Sequence, residues 1–118
     1  MSKRIFITGG ANGIGKALVQ AFSAEGHQVA FCDSDVNKGS QLAAETNTNF
    51  ICADAGNKEE LEGCLRYFLR QWGDMDVIIN NVGIGNFKPI TELSVEEFDR
   101  SLNVNLRSAF ITSRLLAI

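Results

Sequence analysis

The chain has 118 residues, of which 45% are hydrophobic and 21% charged, and its formal net charge is -3. This composition is typical of one globular domain that buries its own core. No run of basic residues indicates a nucleic-acid surface, and no segment approaches the roughly 20 apolar residues that cross a bilayer, so we expect neither kind of partner.

Short apolar strands alternate with helical patterns along the whole chain. The sequence predicts strands at 3–8, 29–32, 49–53 and 76–80, and helices at 13–25, 35–46, 57–72 and from 94 onward. The strands are uniformly apolar, which is typical of a parallel sheet buried on both faces. The alternation therefore predicts βαβ units with right-handed crossovers, an α/β doubly wound parallel sheet of about four strands with helices on both faces.

The cysteines and the histidine suggest no metal site. Cys32, Cys52 and Cys64 are odd in number and lack C-x-x-C spacing. We interpret them as small buried hydrophobic residues of a cytoplasmic protein. The single histidine, His27, lies in a glycine-containing turn, where we expect a solvated side chain rather than a zinc ligand.

A glycine-rich stretch joins the first strand to the first helix. Its spacing is T-G-x-x-x-G-x-G over residues 8–15. Such a turn directs backbone N–H groups and the positive end of the helix dipole into one small space, which an anion can enter because Cβ atoms are missing. We predict that this loop binds a cofactor phosphate through Gly9, Asn12, Gly13, Ile14 and Gly15. A glycine-rich turn of some other α/β domain is the alternative.

Asp33 stands at the carboxyl end of the second strand. A carboxylate there can accept hydrogen bonds from the ribose hydroxyls of an adenosine, and it would repel a 2′-phosphate. No base follows at Ser34, and Asn12 rather than a base occupies the glycine loop. These features favour NAD over NADP. Alternatively, Asp33 is a turn or cap residue, and Asp35 could fill either role.

Together the motifs resemble those of the short-chain dehydrogenase/reductase family. Residues 80–83, N-N-V-G, are similar to its N-N-A-G motif, with valine replacing the usual alanine, and residues 104–106, V-N-L, resemble its motif on the fourth helix. The resemblance implies that Asp54, with Ala55 beside it, hydrogen-bonds the adenine edge, although a plain loop ahead of the next helix also fits. Asn81 can tie strand ends together, and Gly83 leaves room for a ribose.

Asn105 lies one helical turn from Leu102 and from Ala109, on the apolar side of the fourth helix. We therefore expect a buried amide, which needs hydrogen-bond partners. It is either a satisfied core residue or, as the resemblance implies, a residue that supports the catalytic site through a water molecule.

The resemblance covers the whole chain but only the cofactor half of the family's fold. It implies a Rossmann-type domain over residues 1–118, incomplete at its C-terminus, in an NAD-dependent oxidoreductase that transfers hydride between nicotinamide and a small-molecule carbonyl or alcohol. The family's catalytic serine and Tyr-x-x-x-Lys are missing, since the one tyrosine, Tyr67, is followed by F-L-R-Q. We expect a fragment that is inactive alone. The alternatives are a catalytically silent dinucleotide-binding module and a flavodoxin-like domain for another phosphate ligand.

The family's sheet places strand four in its interior. In this chain we expect the strand edge and the apolar face of helix four to be exposed, and open apolar edges favour pairing. We therefore predict a homodimer or another form of self-association.

Overall fold

One four-stranded parallel sheet organises the chain. The computed structural model describes residues 1–118. The strands stand in the order β3-β2-β1-β4, with β1 at Arg4–Thr8, β2 at Gln28–Asp33, β3 at Asn49–Cys52 and β4 at Val77–Ile79. The chain leaves β1 and β4 toward opposite faces of the sheet, so a crevice opens beyond the carboxyl ends of these neighbouring strands, the place where open α/β sheets bind ligands. The predicted α/β class is confirmed.

A helix follows each strand, and the helices predicted to begin at 57 and 94 have a side-chain cap at those residues. The Asn57 side chain accepts a hydrogen bond from the Glu60 N–H at 3.1 Å, and Ser94 with Glu97 forms a capping box. None of the helices combines the length and the apolar character needed to cross a membrane. The helical bounds are α1 at Gly13–Ala24, α2 at Val36–Thr46, α3 at Lys58–Trp72, α4 at Val95–Leu102, a π-helical segment at Asn103–Arg107, and α5 at Ser108–Ala117.

Apolar side chains pack on both faces of the sheet. Phe6 of β1 lies on one face, against Leu61 and Phe68 of α3, with Ile111 of α5 beside them. The neighbouring positions of β1 point the other way, because side chains alternate along a strand. They pack against α1 and α2 in a second cluster that contains Ile5, Ile7, Val19, Val29, Phe31 and Leu42. Burial on both faces explains the uniformly apolar strands.

The fourth helix differs from the prediction. We expected one continuous helix, but a π-helical segment interrupts it at Asn103–Arg107. The buried side chains of this helical stretch are Val104, Ser108, Ile111 and Thr112. The apolar positions of the predicted helical face are exposed, namely Val95, Phe98, Leu102, Leu106 and Phe110. Their exposure, together with the position of β4 at the sheet edge, matches the expected open surface.

Two side chains outside the cleft have a different environment from the one that the sequence predicted. Cys52 is exposed rather than buried, because it is the last residue of β3, at the sheet edge, whereas Cys32 and Cys64 are buried. His27 is half-buried rather than solvated. Its Nδ1 accepts a hydrogen bond from the Lys3 N–H at 3.0 Å, which fastens the turn after α1 to the start of β1.

Candidate functional site

The first half of the glycine loop is fastened to β2. The N–H groups of Gly9 and Gly10 donate to the Cys32 carbonyl at 2.9 and 3.1 Å. The Ala11 N–H donates to Oδ2 of Asp33 at 3.1 Å. These bonds fix the position of the loop relative to Asp33 before any ligand binds.

The second half of the loop leaves the N-terminus of α1 uncapped. The Asn12 side chain makes no capping hydrogen bond, and the first turn holds no acidic residue. The other helices that follow a loop, α2, α3 and α4, all have a side-chain cap. The N–H groups of Gly13, Ile14 and Gly15 therefore lack intrahelical partners and lie at the positive end of the helix dipole. A terminus of this kind can bind a diphosphate.

The backbone requires glycine at the three motif positions. Gly9 and Gly13 have φ angles of +69° and +56°, which favour glycine. A Cβ at Gly15 would lie 2.0 Å from the Gly9 carbonyl oxygen and 2.6 Å from Nδ2 of Asn81. The start of α1 thus packs directly on the loop, and this contact brings the helix terminus close to the end of β1.

Asn81 and Thr8 join the ends of β4 and β1. Asn81 Nδ2 donates to the carbonyl oxygens of Thr8 and Gly9 at 3.2 and 3.1 Å. The hydroxyl of the buried Thr8 accepts from the N–H groups of Asn81 and Val82 at 3.1 and 3.2 Å. Asn81 therefore ties strand ends together, as predicted. The structural role of Thr8 was missed, although a polar residue ending an apolar strand was the available signal.

Several predicted residues meet around a cleft of about 70 Å³ at the carboxyl ends of the strands. Asp33 is one wall, and its Oδ1 accepts from the Asp35 N–H at 3.0 Å, so each carboxylate oxygen holds one backbone bond and keeps a second lone pair. Asn12 instead lines a separate groove between α1 and α2. The cleft is lined by Gly9, Cys32, Asp33, Ser34, Ala53, Asp54, Ala55, Val82, Ile84, Arg100 and Val104.

Asp54 has a partner that the sequence did not predict. Arg100 of α4 donates to Oδ2 and Oδ1 of Asp54 from its two terminal nitrogens at 2.8 and 2.9 Å. The hydrogen bonds from Arg100 lower the pKa of Asp54, against a smaller opposing effect of burial. The two residues are 46 positions apart in sequence, so no local pattern could reveal the pair.

Asn105 is exposed, so the expectation of a buried amide is wrong. The residue belongs to the π-helical segment, which directs its side chain toward the loop after β4 rather than into the core. Its Oδ1 accepts from the Ile84 N–H at 2.7 Å, and its Nδ2 donates to the Ile84 carbonyl at 2.8 Å. A Cβ at Gly83 would meet only this amide, at an ordinary 3.5 Å, so the packing of the chain itself does not require glycine there.

Two other features lie outside the cleft. Tyr67 is exposed on α3, where its ring packs against that of Phe68 with centroids 5.3 Å apart. A larger groove of about 350 Å³ lies between α3 and α5, and its lining includes Arg107 and Arg114. It contains none of the predicted site residues.

Comparison with known sequences assigns the chain to a family. A family model described as short chain dehydrogenase matches residues 3–117. Sorbitol dehydrogenase from Cereibacter sphaeroides is 30% identical over 117 residues, which are 98% of this chain and 46% of that protein. L-fucose dehydrogenase from Mus musculus is 35% identical over 118 residues, which are 96% of this chain and 42% of that protein.

Solved structures share the fold. A 3-ketoacyl-(acyl-carrier-protein) reductase from Brucella melitensis, complexed with NADH, has a TM-score of 0.90 at 28% identity over 97% of this chain and 48% of that one. A blue fluorescent protein from a metagenomic library, in complex with NADPH, has a TM-score of 0.91 at 26% identity over 98% and 51%. The chain thus spans about half the length of the proteins that it matches. With the family model matched over nearly its whole length, on a doubly wound sheet, the chain belongs to the short-chain dehydrogenase family.

Proposed function

We propose that this chain is the cofactor-binding part of an NAD-dependent oxidoreductase that transfers hydride between nicotinamide and a small-molecule carbonyl or alcohol. The observation that carries the proposal is the uncapped N-terminus of α1, held beside the Asp33 carboxylate through the Ala11 N–H. The first offers donors to a diphosphate, and the second offers acceptors to a ribose. Two similar structures contain NADH and NADPH, which supports a nicotinamide dinucleotide as the ligand.

The residues present fit such a cofactor. The N–H groups at the start of α1 would hold the diphosphate, because a Cβ-free loop lets it approach the backbone. Asp33 would accept from the adenosine ribose hydroxyls through its remaining lone pairs. Asp54 and Ala55 would contact the adenine edge, and the exposed Gly83 would border the second ribose. When bound, the cofactor supplies or accepts the hydride, and the chain orients it.

Asp33 is also the basis for proposing NAD over NADP. A 2′-phosphate on the adenosine ribose would meet its negative charge, and neither Asn12 nor Ser34 offers a compensating base. The cleft does contain one cation, Arg100, but both of its terminal nitrogens donate to Asp54. We therefore expect the negative charge on the ribose side of the cleft to repel the 2′-phosphate of NADP.

We assign Asn105 a supporting role near the catalytic site. It holds the loop after β4 through both backbone groups of Ile84, next to the segment that would border the nicotinamide half of the cofactor. The chain offers no tyrosine at the cleft, because Tyr67 lies on α3. We therefore propose that the chain alone binds cofactor without turnover.

Calorimetric titration with NADH and NADPH tests the proposal. We expect NADH to bind more tightly, and we expect Asp33→Asn to lose about 10- to 100-fold in NADH affinity, since hydrogen bonds to a charged group are removed. Glu92→Gln is the matched control, because it removes one exposed carboxylate outside the cleft. Tighter binding of NADPH would contradict the NAD preference, and binding of neither dinucleotide would contradict the cofactor site.

We also propose that the chain self-associates through the exposed apolar side of the helical stretch that runs from α4 through the π-helical segment to α5. Leu106 of the π-helical segment and Phe110 of α5 are 66% and 64% exposed, and β4 forms an open edge of the sheet. Light scattering should show a concentration-dependent mass, which Leu106→Asp reduces to that of a monomer. Val36→Asp is the control, because Val36 is an exposed apolar residue on α2. A monomeric wild type at high concentration would refute this proposal.

A further inference from the structure

The pair of Arg100 and Asp54 is built into the wall of the cleft. The guanidinium of Arg100 bonds both carboxylate oxygens in parallel, a bidentate geometry that fixes orientation as well as distance. It also lies directly on Gly56, where a Cβ would stand 2.2 Å from Nη1. Gly56 therefore provides the space that lets α4 reach the end of β3. The direction of the Asp54 carboxylate is thus set partly by a residue outside its own loop.

The hydrogen bonds that Asp54 already accepts determine what it can still offer a ligand. Oδ1 accepts from Arg100 and, at 2.8 Å, from the Gly56 N–H, so both of its lone pairs are used. Oδ2 accepts only from Arg100 and keeps one lone pair. The ion pair lowers the pKa of Asp54, so at neutral pH the group is a carboxylate with no proton to donate. Asp54 therefore presents a single acceptor position and no donor.

We propose that Arg100 is a positioning residue that holds Asp54 as an acceptor-only group, so that the cleft selects a purine with a 6-amino group against a purine with a 6-oxo group. The inference rests on the proposed function, which places the cofactor's adenosine in this cleft. A 6-amino group can donate to Oδ2. A 6-oxo group in the same place would bring a second acceptor against it, so the free lone pair of Oδ2 would gain no hydrogen bond and the two oxygens would repel each other.

The size of the effect follows from the exposure of the pair. The Arg100 and Asp54 side chains are 47% and 33% exposed, so water can relieve part of the mismatch. A fully enclosed site that binds a donor group can prefer it over an analogue without the donor by a much larger factor. For this half-open cleft we expect a preference of about 10- to 100-fold for the amino compound, the range for one hydrogen bond to a charged group.

The experiment compares NADH with reduced nicotinamide hypoxanthine dinucleotide, which carries a 6-oxo group and an N1–H where NADH has a 6-amino group and an unprotonated N1. Calorimetry gives the affinity ratio of the two for each variant. Wild type should show the 10- to 100-fold preference stated above, Arg100→Ala should bring it below about 3-fold, and Arg100→Lys should lie between. Asp54→Asn should also reduce the ratio, because an amide can donate as well as accept.

The ratio of the two affinities distinguishes a loss of Asp54 positioning from a general loss of folded structure, because a loosened fold would weaken the binding of both dinucleotides alike. Arg66→Ala is the matched control: Arg66 pairs with Glu62 on α3, outside the cleft, and its loss should leave the ratio unchanged. Equal binding of the two dinucleotides by wild type, or an unchanged ratio in Arg100→Ala, would overturn the inference while the cofactor site stands. Binding of neither dinucleotide would show that the proposed function is wrong and would overturn the inference with it.

Discussion

Replacing Gly15 with alanine tests the packing of α1 against the glycine loop. The new Cβ would lie 2.0 Å from the Gly9 carbonyl oxygen, whereas real Cβ contacts essentially never fall below 3.0 Å. Neither neighbour can yield easily, since Asn81 is bonded to the Thr8 and Gly9 carbonyls. Overpacking of this kind costs about 1–3 kcal/mol. For a domain of this length we expect the melting temperature to fall by roughly 5–15 °C.

Gly63→Ala is the matched control for Gly15→Ala. Gly63 lies on the exposed side of α3, and a Cβ there would meet nothing within 4 Å. Alanine at such a helical position should stabilise the chain by about 0.4–1 kcal/mol. Urea unfolding followed by circular dichroism measures both variants, and calorimetry with NADH should show weakened binding for Gly15→Ala only. Equal stability of the two variants would refute the packing argument.

Three further results are expected. Ser94→Ala removes the capping box of α4 and should cost about 1 kcal/mol in thermal unfolding, while Ser113→Ala, exposed on α5, should be nearly neutral. Arg100 lowers the pKa of Asp54, so the paired carboxylate should stabilise the fold at pH values above its ordinary pKa of 3.8. This stabilisation should be lost as the pH falls through the lower pKa of the folded state. A difference in stability between wild type and Asp54→Asn that persisted at the lowest pH would contradict this. Cys52 should react with a thiol reagent in the native state, whereas the two buried cysteines should react only after unfolding, and slow labelling of all three would contradict the assigned exposure.

Features with local physical causes could be predicted from the sequence. The uniformly apolar strands depend on residues within a few positions of each other, and so do the helix starts predicted at 57 and 94, where Asn57 and Ser94 cap the helices. The glycine loop belongs to this class, because its conformation is determined by which of its residues lack Cβ atoms. The role of Asn81 in joining strand ends could also be predicted, although its bonds to Thr8 span 73 positions. The strand order brings the carboxyl ends of β1 and β4 together.

Features that depend on contacts between distant elements could not be predicted. Nothing near Arg100 indicates that it crosses to Asp54, since helix-surface arginines are ordinary. The exposure of Cys52 follows from the position of β3 at the edge, which strand patterning does not reveal. Gly10 is a similar case, because a Cβ there would stand 2.6 Å from the Phe31 side chain of the neighbouring strand. In each case the decisive neighbour is set by the tertiary fold.

The π-helical segment explains why the periodicity of the fourth helix is misleading near the cleft. An α-helix advances about 100° per residue, so one additional residue in a turn rotates everything that follows. Before the segment, Arg100 reaches Asp54; after it, Ile111 is buried against α3 and the sheet. The segment itself directs Asn105 to Ile84. A residue of this local irregularity therefore holds the loop after β4, and π-helical turns often occur at functional sites.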